Sequence, residues 1–196
     1  MKKLYKSEQS GRSMVEMLGV LAIIGVLSVG GIAGYSKAMV KYKTTKTMDQ
    51  ISMLAANIRT AFASSASYTG LSTENARKWG FASSDMYDTA GTGFTNPFLG
   101  KINIASASAQ GLANMGFFIQ YTAIPRDVCV QLATADWGVA GFSGLSSAAE
   151  IDATGVAVPG KAITAGTGKI SFTDAANICA AEGTTDMSTN LAIFFY

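Results

Sequence analysis

Histidine is absent from the 196 residues. Ser-His-Asp and Cys-His nucleophile systems need an imidazole as general base, and the histidine-containing zinc sites need it as a ligand, so all of these are excluded. Charge is scarce: 14% of residues are Asp, Glu, Lys or Arg, against roughly 25% in an ordinary soluble domain. The 15 basic and 13 acidic residues leave a formal net charge of +2, which gives no clustered basic face for nucleic acid. There are two cysteines, and no Cys-x-x-Cys, calcium-loop pattern or glycosylation acceptor. An enzyme is the poorer reading. What is abundant is apolar residues, 48% of the chain, and glycine, 21 residues. The length suits one domain, or a small domain with an appendage.

The first twelve residues are polar and basic, with Lys2, Lys3, Lys6 and Arg12. From Ser13 to about Gly34 the chain reads SMVEMLGVLAIIGVLSVGGIAG, roughly 20 apolar or small residues, enough to cross a bilayer as a helix. A secretory signal peptide is the usual competitor. The run is longer than a typical signal core, and no small-x-small cleavage site ends it cleanly in a turn-forming context. Glu16 stands at its start. Held at depth, a carboxylate there costs about 2.5–3.5 kcal/mol on insertion scales. Either it lies in the headgroup layer and complements the helix dipole, or it has a partner. Gly19, Gly25, Gly30, Gly31 and Gly34 each weaken an isolated helix by about 1 kcal/mol relative to alanine. They fit close helix packing, or a segment that unwinds on leaving lipid.

The arrangement Gly11-Arg12-Ser-Met-Val-Glu16, with a basic leader before it and an unbroken apolar run after it, resembles the processing signal of type IV prepilins. The resemblance implies a membrane peptidase that cuts between Gly11 and Arg12 and methylates the new N-terminus. It also implies that Glu16, then the fifth residue, pairs with the freed amine of a neighbouring subunit inside a filament. Arg12 stands where the family usually has an apolar first residue.

Beyond the apolar run, Lys37, Lys41, Lys43 and Lys46 form a basic collar. With four charges on each side of the run, the positive-inside rule does not set the orientation. Met48, Ile51, Leu54, Ala55, Ile58 and Phe62 recur at helical spacing as a core stripe. Joined to the apolar run, they predict one helix from about Ser13 to Ser65, roughly 75–80 Å long. Short elements are expected after it. They are a helix over Thr73–Trp79 stopped by Gly80, a turn around Gly91–Pro97, and strands at Lys101–Ala105 and Gly116–Thr122. A helix over Pro125–Ala135 follows, with Pro125 in its first turn. Further strands are expected at Glu150–Val158 and Lys169–Phe172, then a helix from a Thr173 cap to Glu182, closed by Gly183. Leu191–Tyr196 reads as a central strand.

Two cysteines late in the chain, both beyond a membrane segment, point to one disulfide in an exported domain, with two buried thiols as the alternative. Ile124-Pro-Arg-Asp-Val-Cys129-Val-Gln-Leu, and Ala175-Ala-Asn-Ile-Cys179 before a terminal strand, are similar to the C-terminal region of type IVb pilins. Among these the major pilins of conjugative thin pili are the nearer relatives, and the toxin-coregulated type is more distant. The resemblance implies that the Cys129–Cys179 disulfide ties this region to an antiparallel sheet. The eleven-residue leader is shorter than the subtype usually carries.

Other chemistry reads as loop. Gly155–Ala162 has a phosphate-loop spacing but lacks the terminal Ser/Thr, and Pro159 removes a donor. The pairs Asp85/Asp88 and Glu150/Asp152 fit solvated charges better than acid/base work. Trp79, Phe81, Phe94, Phe98 and Trp137 read as core or subunit-contact residues, with a carbohydrate contact as the alternative.

The expectation is an α+β type IV pilin fold. Residues 1–11 would be a leader, 12–36 a membrane and assembly helix, 37–66 the amphipathic half of that helix, and 67–196 a globular head. No cofactor, metal site or catalytic residue is expected. The implied partners are copies of the chain itself in a helical homopolymer, a prepilin peptidase, an assembly ATPase with its inner-membrane platform, and the membrane before assembly. The implied destination is the bacterial inner membrane, then an extracellular pilus. A minor pilin or pseudopilin of a secretion system, and a membrane-anchored adhesin that does not polymerise, are the alternatives. Conjugation, adhesion, motility and DNA uptake are equally open as the role of the pilus.

Overall fold

The computed structural model describes residues 14–109, 112–137, 142–146, 170–180 and 188–195, and the chain divides into two compact units, Met1–Tyr42 and Lys43–Tyr196. Helix α1 spans Met14–Ala61. Up to Gly34 it is apolar or small all round, apart from Glu16 and Ser28. Within the second unit it is one-sided. Thr44, Thr47, Gln50, Ile51, Leu54, Ala55 and Ile58 are buried, a face at the three- and four-residue steps of an amphipathic helix. Met48 and Phe62, expected on this stripe, are half-buried. The buried face instead begins a turn earlier, on polar residues that hydrophobic spacing does not register. Thr47 satisfies its hydroxyl by donating to the Lys43 carbonyl at 2.9 Å, the usual back-bond of a helical threonine.

The helix ends at Ala61 rather than Ser65. The Phe62 amide still reaches the Ile58 carbonyl at 3.0 Å, but the Ala63 amide turns to Thr60 at 3.4 Å. The serines that follow compete for the backbone in non-helical conformations. Helix α2 (Thr73–Lys78) is capped by Ser72, whose side chain accepts from the Asn75 amide. Gly80, at φ 73°, takes the left-handed conformation that closes a helix and that glycine adopts without strain.

Among the described residues the sheet has five antiparallel strands in the order β1-β2-β3-β5-β4, with β1 Phe94–Thr95, β2 Lys101–Ala109, β3 Leu112–Pro125, β4 Phe142–Ser146 and β5 Ser188–Phe195. The C-terminal strand is central, as its apolar sequence requires. Alternation sorts its pairs onto two faces. Phe117 pairs in register with Phe195, their rings stacked at 5.1 Å, and Phe118 pairs with Phe194 at 5.7 Å. The guanidinium of Arg59 lies over the Phe195 ring at 5.2 Å, which places the end of α1 against the Phe117/Phe195 face. On the other face Phe118, Ala192 and Phe194 form a buried cluster flanked by Ala105 and Ala107.

One clamp holds β1, β2 and β3 in register. Asn96 donates to the Thr122 carbonyl at 2.8 Å, while its Oδ1 accepts from the Phe98 and Gly100 amides at 2.8 and 3.1 Å. A Cβ added at Gly100 would fall 1.8 Å from the Thr122 carbonyl oxygen. That oxygen is backbone in a paired strand and cannot move aside. Gly100→Ala is therefore expected to cost about 3 kcal/mol, read as a lower urea midpoint at unchanged slope. Wild-type stability would show that the β2–β3 register is softer than it looks.

Helix α3 spans Arg126–Ala133, with Pro125 as its N-cap rather than its first turn, because Pro125 is also the last residue of β3. Helix α4 spans Phe172–Ile178. Two expectations are corrected here. Phe172 opens a helix instead of ending a strand, and the cap is Ser171, not Thr173. Ser171 Oγ accepts from the Asp174 amide at 3.2 Å and donates to Asp174 Oδ2 at 2.7 Å, a reciprocal cap that the Ser-x-x-Asp spacing encodes. The expected strand at Glu150–Val158, the Gly155–Ala162 turn, the Glu150/Asp152 pair and the helix end at Glu182–Gly183 lie outside the described residues.

Candidate functional site

The first surface is the apolar part of α1. Met14, Val15, Leu18, Leu21, Ile23, Ile24, Val26, Leu27, Val29 and Ile32 are each more than half exposed. An added Cβ at Gly19, Gly25, Gly30, Gly31 or Gly34 would meet nothing within 4 Å. Packing among the described residues therefore requires none of these glycines. By length and composition this segment suits a bilayer crossing. Glu16 lies in the first turn, exposed, where its charge complements the helix dipole. Gly11 and Arg12 lie outside the described residues.

The second feature is the cystine. Cys129 on α3 and Cys179, the C-cap of α4, are joined with their Cα atoms 5.8 Å apart, and both residues are fully buried. The bond fastens α4 to α3, and α3 in turn packs on β3 and β5. The C-terminal region is thus tied to the sheet.

Charged groups around the head serve its loops. Lys46 on α1 pairs with Asp85 at 2.5 Å. Asp85 also accepts from the Ser83 hydroxyl, and the hydrogen bonds from Lys46 and Ser83 hold its carboxyl below the usual carboxylate range. Asp88 is likewise held low, first by backbone amides of the loop, Gly93 then Thr92 and Gly91, and last by the Arg77 charge. Arg77 meanwhile donates to the Gly93 carbonyl at 2.9 Å and lies over the Tyr87 ring at 4.5 Å. A carboxyl depressed in the fold stabilises it above the unfolded value of about 3.9 and loses that contribution as pH falls through the folded value. Asp88→Asn is expected to lower the melting temperature at pH 7 and to flatten its decline below about pH 4; an unchanged acid limb would assign that decline elsewhere. Buried Tyr121, its hydroxyl without a partner among the described residues, is pushed far above the usual phenol range by desolvation.

Among the described residues no three His, Cys, Asp or Glu side chains converge as a metal site. Of the aromatics singled out, Phe81 and Phe94 are buried, whereas Trp79 is 48% exposed. Trp79 caps a run of rings through Phe62 and Tyr68 to Phe117, with centroids 4.9–5.9 Å apart. The indole of Trp137 donates to the Leu132 carbonyl at 3.0 Å. Hydrophobic patterning missed the Asn96–Gly100–Thr122 clamp, although the Asn96-Pro97 turn signal and Gly100 lie beside it.

Residues 41–191 match the family model described as PilS N terminal. The major structural subunit of the bundle-forming pilus of Escherichia coli O127:H6 is 25% identical over 137 residues, 70% of each chain. The subunit of the same description from Escherichia coli O111:H- aligns equally. The crystal structure of a type IV b pilin from Salmonella typhi superposes with a TM-score of 0.51 at 22% identity, covering 76% of this chain and 95% of that one. A long N-terminal helix with an apolar first half, together with an antiparallel sheet and a cystine-tied C-terminal region, is the type IV pilin fold. The chain belongs to the PilS N terminal family. That match begins at residue 41, so the reading of the apolar segment rests on its own residues.

Proposed function

We propose that this chain is a prepilin, the structural subunit of an extracellular type IV pilus, with no catalysis of its own. The observation that carries the proposal is the exposed apolar segment with a single carboxylate in its first turn. Among the described residues that surface is exposed. Before assembly, lipid of the inner membrane covers it. In the filament, the same surface on neighbouring copies covers it, at about 25 cal/mol per Å² of apolar area removed from water. The likeness to major structural subunits of a bundle-forming pilus favours the abundant subunit over a minor pilin or pseudopilin.

In this reading a prepilin peptidase cleaves after Gly11 and methylates Arg12. The segment 12–36 holds the subunit in the membrane, 37–66 joins it to the head 67–196, and an ATPase with its inner-membrane platform extracts it into a helical homopolymer. Glu16 sets axial register, because a subunit docking out of step would leave its carboxylate buried and unpaired. Glycines that have no packing task among the described residues admit close approach between bundled helices. Electron microscopy and subunit counting on sheared surface fibres test the proposal. Fibres built mainly of this chain are expected. A trace presence would make it a minor pilin, and retention on the membrane without fibres would make it an anchored module.

A further inference from the structure

The last turns of the first unit carry a pattern that the pilin reading does not use. Tyr35 and Tyr42 are 67% and 61% exposed, and Lys37 and Lys41 are exposed too. At about 100° per residue, the tyrosines seven apart share one helix face, and the lysines four apart share another roughly opposite it. The apolar segment 14–34 rises about 31 Å as a helix, matching a hydrocarbon core of about 30 Å. The ring of tyrosine and lysine therefore starts where the hydrocarbon would end. Tyrosine favours that boundary because its ring is apolar and its hydroxyl wet. Helical side chains lean toward the helix N-terminus, so long lysines here reach back toward the bilayer surface. No acidic residue occurs between Glu16 and Asp49, which leaves this stretch of sequence with one sign of charge.

We propose that Tyr35, Lys37, Lys41 and Tyr42 form an interfacial girdle that fixes the depth of the unassembled subunit by binding the phosphates of anionic phospholipids on the exported face of the membrane. The inference rests on the reading of 14–34 as a membrane-spanning segment. Phosphate binding adds a depth stop to an apolar helix that could otherwise slide by a turn. Leaving the membrane then requires release of these headgroups as well as of the apolar surface.

The test uses the full chain reconstituted into vesicles of phosphatidylcholine alone, or of equal parts phosphatidylcholine and phosphatidylglycerol. Incorporation is checked by flotation, and lysine acetylation by a water-soluble reagent is followed by peptide mass. Near an anionic surface each lysine gains enough to slow its labelling about fivefold. Slowing of that order at Lys37 and Lys41 in the anionic vesicles is expected. It should be reversed by about 0.5 M salt. Equal labelling in both vesicle types, with the chain incorporated, overturns the girdle and leaves the spanning segment standing. Protection that follows protein density rather than lipid charge also overturns it, and assigns the lysines to a second copy of the chain. Failure to float with either vesicle overturns the spanning segment, and the girdle with it.

Discussion

Glu16→Ala is expected to give a folded, membrane-held chain that is cleaved at the leader and forms no filaments. Glu16 is exposed in the first turn of α1, so its truncation deletes no buried side chain and folding has no reason to change. Alanine also favours helix and bilayer, and the variant should sit in lipid at least as well as the wild type. Under the proposed function the loss falls on assembly, where the carboxylate would meet the amine of a neighbour within an apolar bundle. Removing one partner of a buried pair costs about 3–5 kcal/mol, because the other charge is left uncompensated. That is more than a hundredfold per contact, repeated at every subunit added. Sheared-fibre yield should therefore fall below detection while the membrane pool rises. Normal fibres from this variant would remove Glu16 from the assembly mechanism.

The double variant Cys129→Ser/Cys179→Ser is expected to lose at least about 4 kcal/mol of head stability. The bond closes a sequence separation of 50 residues, and the chain-entropy model assigns a loop of that length about this much. Both positions are fully buried, so each serine hydroxyl is taken out of water and adds a desolvation cost. Urea unfolding of the wild-type chain with and without reductant isolates the covalent part, and the double variant adds the hydroxyl penalty. The region from α3 through α4 should become protease-sensitive first. A difference under about 1 kcal/mol would show that α3 and α4 hold to the sheet by packing alone.

Much of this architecture was legible in the sequence where one physical signal dominated. The long apolar run of 14–34 announces a helix by its length, and the stripe Ile51–Leu54–Ile58, the aromatic run of β3 and the apolar β5 announce their elements because burial decides them. What escaped was decided by polar backbone chemistry. Thr44, Thr47 and Gln50 are buried on α1 although nothing in their polarity marks them. Ser171 rather than Thr173 caps α4 because Asp174 answers it. β2 runs on to Ala109 through small residues of weak strand preference because β3 offers it paired neighbours. The same division holds for the site. The cystine and Glu16 stand out as residues out of place in their surroundings. The tyrosine and lysine ring becomes a feature once the helix brings residues four and seven apart onto common faces.

Cleavage after Gly11 is expected to free the stem for polymerisation. Intact-mass and N-terminal peptide mass spectrometry on fibres sheared from producing cells tests it most directly. The account predicts a chain that begins at Arg12, one methyl group heavier and two hydrogens lighter than the bare sequence from that residue. A chain that still begins at Met1 and stays with the membrane would contradict it, and the protein would then be a membrane-anchored surface module.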